Sequence, residues 1–62
     1  MKNVILKNGD DSVAVTVKRR KKQATFTFYQ GTDFLMEKIY DDLKPAEKEY
    51  NTLVTNGYEI AF

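Results

Sequence analysis

The stretch Ser12–Tyr29, SVAVTVKRRKKQATFTFY, decides the fold of this chain. It alternates apolar and polar residues twice, with a block of five cations between the two runs. Successive side chains of a strand point to opposite faces, so Val13, Val15 and Val17 share one side and Ala14, Thr16 and Lys18 the other. Ala24, Phe26 and Phe28 repeat the pattern against Thr25, Thr27 and Tyr29. Closing a hairpin through Arg19-Arg20-Lys21-Lys22 sets Val17 opposite Ala24, Val15 opposite Phe26 and Val13 opposite Phe28. A slip of one residue would turn every one of these side chains to the wrong face, so the pattern specifies the register.

Upstream lies a further strand, Lys2–Lys7. A four-residue loop Asn8-Gly9-Asp10-Asp11 sets Leu6 opposite Val13 and Val4 opposite Val15. A two-residue Asn8-Gly9 turn is the stronger local signal, but it would set Leu6 opposite Asp11. Three strands, Lys2–Lys7, Ser12–Lys18 and Gln23–Tyr29, thus agree on one apolar face.

Downstream of Gln30-Gly31 the apolar period reads as about 3.6. Thr32 or Asp33 is placed to cap a helix with the stripe Leu35, Met36, Ile39, Tyr40 and Leu43. Pro45 ends or kinks that helix and suits the first position of a second one, with Glu47 in its first turn. The second helix has Ala46, Tyr50, Leu53 and Val54 on one side. It stops at Asn56-Gly57 in a left-handed cap, with Tyr58 making the accompanying apolar contact. Tyr58, Ile60 and Phe62 alternate with Glu59 and Ala61 as a closing strand, antiparallel to strands one and three and able to lie beside either. The expected fold is a single α+β domain over residues 1–62. Its small antiparallel sheet, in the order βββααβ, has a helical pair packed on one face. The expected core is Val13, Val15, Val17, Phe26 and Phe28 with Leu35, Ile39, Leu53 and Ile60.

Sixty-two residues bury only roughly 60% of the surface their unfolded form exposes, which makes stability marginal. With no Cys and no His, neither a disulfide nor the usual zinc-ligand set reinforces the fold. What remains is aromatic and aliphatic burial, helped by four Phe and four Tyr, or self-association, and a symmetric homodimer is expected. The first six residues lack the apolar core of a secretory signal. The longest apolar runs are three residues, so no membrane span or membrane partner is expected, and the default location is the cytoplasm.

The net charge of +1 conceals a lopsided distribution. Residues 1–31 carry seven Lys/Arg against two Asp, a net +5, and residues 32–62 carry three Lys against seven carboxylates, a net −4. The candidate binding site is the basic run Lys18, Arg19, Arg20, Lys21 and Lys22 at the tip of the second hairpin. Arg offers bidentate geometry to phosphate and Lys a mobile point charge, so five clustered cations suit a nucleic-acid backbone. The competing reading is a solvated turn, because charge on a hairpin also blocks edge-to-edge pairing. Five in a row exceeds that need, since like charges repel. The sheet face away from the helices, with Thr16, Thr25, Thr27 and Tyr29, reads as a solvated surface, since one aromatic makes a poor stacking platform.

Glu37, Asp41 and Asp42 along the first helix, with Glu47, Glu49 and Glu59 beyond, read as solvated acids or as a dock for a basic partner. Asp10-Asp11-Ser12 lacks the ligand spacing of a calcium loop and reads as a turn. Without a His base, a thiol or a glycine-rich phosphate loop, catalysis is not expected, and neither is a cofactor, metal or small-molecule substrate. The leading expectation is a non-enzymatic nucleic-acid-binding or accessory regulatory protein acting through residues 18–22. The alternative is a protein-interaction module or small inhibitor, phage- or plasmid-encoded, binding a host protein through its acidic helical face or an exposed strand edge.

Overall fold

Four strands lead the chain, and each hairpin that joins them is explained by its turn residues. In the computed structural model, which describes residues 2–62, β1 spans Val4–Asn8, β2 Asp11–Lys18, β3 Gln23–Gln30 and β4 Asp33–Tyr40. A helix α1, Leu43–Thr55, follows, and β5, Glu59–Ile60, completes an antiparallel sheet ordered β4-β3-β2-β1-β5. The β2–β3 pairing sets Val17 against Ala24, Val15 against Phe26 and Val13 against Phe28, the register that the alternation specifies. The β1–β2 pairing likewise sets Leu6 against Val13 and Val4 against Val15. Its turn is tighter than the four-residue loop expected, because Asn8 and Asp11 themselves pair and leave Gly9-Asp10 as the two central residues. Gly9 takes φ +63°, the positive angle a II′ hairpin turn needs at its first central position.

The expected first helix is not a helix. Residues 33–40 form β4, paired with β3 from Ala24↔Tyr40 to Gln30↔Asp33 across a Gly31-Thr32 turn in which Gly31 has φ +60°. The apolar residues here fit a helical stripe and a strand equally well, and the edge of β3 decides between them. An eight-residue strand satisfies backbone N–H and C=O groups that β3 would otherwise leave unpaired. It also brings Tyr40 edge-on to Phe26, with ring centroids 5.6 Å apart, and Lys38 over the Phe28 ring. The order is therefore ββββαβ with one helix, not βββααβ with a pair. Between Phe28↔Met36 and Tyr29↔Phe34 the ladder shifts, leaving Leu35 unopposed in a bulge.

The single helix starts two residues before Pro45 rather than at it. The Asp42 carboxylate caps it by accepting from the Lys44 N–H at 3.0 Å. Pro45 is tolerated inside the first turn because the N–H it lacks has no intrahelical acceptor there. The far end matches expectation. Gly57 has φ +102°, the Gly57 N–H donates to Val54 and the Tyr58 N–H donates to Leu53, each at 3.1 Å. This is the double bond of a Schellman stop. Tyr58 packs against the core, and β5 runs antiparallel beside β1, since β4 already occupies the far side of β3.

The core lies between α1 and one face of the sheet: Leu6, Val13, Val15, Ala24 and Phe26 against Ala46 and Leu53, all buried. Val17 and Phe28 are partly buried around it. Leu35, Ile39 and Ile60, expected inside, are exposed. Ile39 falls on the face of β4 away from α1, Leu35 sits in the bulge, and Ile60 sits on the short edge strand. Among the described residues no helix is long and apolar enough to cross a membrane.

Candidate nucleic-acid interface

The basic run occupies one end of the sheet. Lys18 ends β2 and pairs with Gln23, so the four residues 19–22 make the turn. Arg19–Lys21 form one turn of 3-10 helix, closed by the Lys22 N–H donating to the Arg19 carbonyl at 3.1 Å. Lys22 takes φ +50°, a left-handed conformation that reverses the chain into β3. All five side chains are exposed. Among the described residues, no ion pair engages Lys18, Arg20, Lys21 or Lys22, whereas Lys38 is bridged to Glu49 at 3.7 Å.

The carboxylates nearest in the topology are committed elsewhere. Asp41 accepts from the Gln23 side-chain amide at 3.0 Å, and Asp42 caps α1. The acidic helical face expected of Glu37, Asp41 and Asp42 does not exist. Glu37 stands on a strand opposite Thr27, and the two aspartates lie in the turn before α1. At the opposite end of the sheet, Asp10, Asp11 and Asp33 gather around two turns tied together by the Gly31 N–H donating to the Asp10 carbonyl at 2.8 Å. Charge is thus separated along the strands, cationic at residues 18–22 and anionic at the Asp10, Asp11 and Asp33 end.

A second surface was not anticipated. Paired residues share a face, so Ile39 opposite Thr25, Glu37 opposite Thr27 and Phe34 opposite Tyr29 join Ile5, Ala14 and Thr16 on the side away from α1. Phe34 is 61% exposed, Leu35 55% and Ile39 57%, in a strand whose outer edge carries no neighbour. Tyr29 and Phe34 meet edge to face with centroids 6.3 Å apart. The signal for this surface was Gln30-Gly31-Thr32-Asp33, a Gly-X pair between two alternating runs. No known protein family, curated protein or solved structure matches this chain.

Proposed function

We propose that this chain is a non-enzymatic accessory protein that binds a polyanion, in the first instance a nucleic-acid backbone, through Lys18, Arg19, Arg20, Lys21 and Lys22. The observation that carries the reading is their arrangement: five consecutive cations, all exposed, on a structured turn at the pole of a charge-separated molecule. Such a pole steers an anionic partner toward it, and each phosphate neutralised releases condensed counterions. An apolar hollow of about 510 Å³ is lined by Lys2, Asn3, Val4, Tyr50, Ile60 and Phe62, and an open one of about 430 Å³ along α1 sets the single carboxylate of Glu47 beside Lys44 and Lys48.

The test is a salt titration of binding to a mixed-sequence DNA duplex. Log affinity is expected to fall linearly with log salt, by about −0.9 for each phosphate engaged. The variant Lys18→Gln, Arg20→Gln, Lys21→Gln, Lys22→Gln is expected to keep the wild-type circular dichroism and lose the binding. Wild-type protein that fails to bind DNA or RNA at low salt, or a variant that binds as tightly, sinks the reading. The alternative, docking of a protein on an exposed strand edge, is favoured by one specific observation, the apolar outer edge of β4.

A further inference from the structure

The two edges of the sheet are managed differently. At one side β5 is only two residues long, and short edge strands offer little template for pairing. At the other, β4 presents eight residues with no proline and no sheet neighbour on its outer side. Phe34, Leu35, Met36 and Ile39 are all exposed along it. The one cation of β4, Lys38, is turned back onto Glu49 and the Phe28 ring and does not guard the edge. Glu37 near the middle of the strand and the bulge at Leu35 are the devices that blunt this edge, and with four exposed apolar side chains along eight residues it remains a pairing surface.

We propose that its occupant is the β4 strand of a second copy, paired antiparallel about a two-fold axis to make one ten-stranded sheet. Charge selects this partner and this direction. Within each copy Asp33 of β4 lies at the Asp11 end of the sheet, and Tyr40 at the end that carries residues 18–22. Antiparallel pairing of β4 with its copy therefore lays the end that carries the five cations 18–22, which outnumber Asp41 and Asp42 beside Tyr40, alongside the Asp10, Asp11 and Asp33 end of the other molecule. Parallel pairing would set like poles together. A two-fold contact uses the same patch on both subunits and closes, so no long edge remains to propagate a filament.

The pairing also answers a shortage of burial, because only seven hydrophobic residues among the described residues of one copy are buried. A standard interface takes about 800 Å² from each partner, less than a fifth of the 4538 Å² that one copy exposes. In the dimer the Phe34 and Ile39 side chains of both copies line the seam on the sheet face away from the helices. The dimer does not rest on polyanion binding, and either can fail without the other.

Sedimentation equilibrium on the full chain, with amide hydrogen exchange from about 5 µM to about 500 µM, tests the proposal. The mass is expected to rise from 7.2 kDa toward twice that value. Over the same range amides of residues 33–40 are expected to slow at least tenfold, while those of β5 stay unchanged. The variant Leu35→Lys, Ile39→Lys changes two exposed side chains and is expected to stay monomeric with wild-type circular dichroism. A 7.2 kDa species at every concentration overturns the proposal, as does a dimer whose β4 amides exchange at the monomer rate. The exchange measurement on wild-type protein decides the matter even if the double variant fails to fold.

Discussion

Phe26 and Ile39 show how far neighbouring strands can diverge at equal hydrophobicity. Phe26 is fully buried under α1 and meets Tyr40 edge to face, whereas Ile39 points to the uncovered side. Phe26→Ala is expected to cost about 3–5 kcal/mol, enough to unfold so small a domain, while Ile39→Ala is expected to change monomer stability by about 0.5 kcal/mol or less. Urea titrations at a concentration where the chain is monomeric compare the two, and equal losses would contradict the assigned faces. Tyr40 adds a pH dependence. Burial penalises its phenolate, its hydroxyl donates to the Glu49 carboxylate at 3.1 Å, and the charge of Glu49 acts in the same direction, so its pKa is raised above 10.0. Tyr58 is raised too, by burial and then by Asp11. The folded chain therefore holds protons that the unfolded chain has released. This contribution is complete below about pH 10 and is lost as pH climbs through the folded values. Stability is expected to fall above pH 10, and less steeply in Tyr40→Phe, Tyr58→Phe; identical alkaline profiles would refute the linkage.

The helix and the β4 hairpin divide what was legible in the chain from what was not. The cap at Asn56-Gly57 and the β2–β3 register could be read because each rests on a local rule with one solution: a left-handed stop, and a period of two with a single apolar face. Residues 33–40 had two solutions. Leu35, Met36, Ile39 and Tyr40 satisfy a helical stripe, whereas in a strand Met36 and Tyr40 fall on the α1 face and Phe34 and Ile39 on the other, an arrangement favoured only once the free edge of β3 is counted. That edge is a tertiary fact which no window of sequence contains. The basic turn was legible because charge at a hairpin tip needs no tertiary partner, whereas the apolar β4 edge became visible only when the strand did. Two substitutions test the local rules. Asp42→Ala removes the cap of α1 and is expected to cost about 1 kcal/mol. Gly31→Ala meets no atom within 4 Å, so its expected cost of about 1–2 kcal/mol is purely that of a side chain at φ +60°. A Gly31→Ala protein as stable as wild type in thermal melts would show that the turn can re-form without a positive φ.

The connectivity of the whole molecule sets an order of assembly. Every sheet contact but one joins strands that follow each other in the chain; the exception is β1 with β5. Val15 and Phe26 are 11 residues apart, whereas Leu6 and Ile60 are 54 apart. Each doubling of a loop costs about 0.6 kcal/mol in closure entropy, so the β1–β5 contact starts about 1.4 kcal/mol behind the central hairpin. Its two paired positions also return less burial than the eight of β2–β3, since both β5 residues are exposed. The β2–β3 hairpin, with β1 or β4 added, is therefore expected to form the folding nucleus, and the Tyr58–Phe62 segment to dock after the barrier. Chevron analysis of two variants in dilute, monomeric protein separates these stages. Val15→Ala is expected to act mainly on the folding rate, whereas Tyr58→Ala, which loosens a side chain packed on the core from the chain's last segment, is expected to act mainly on unfolding. A Tyr58→Ala protein that folds more slowly while unfolding at the wild-type rate would place the β1–β5 closure in the nucleus and reverse the order.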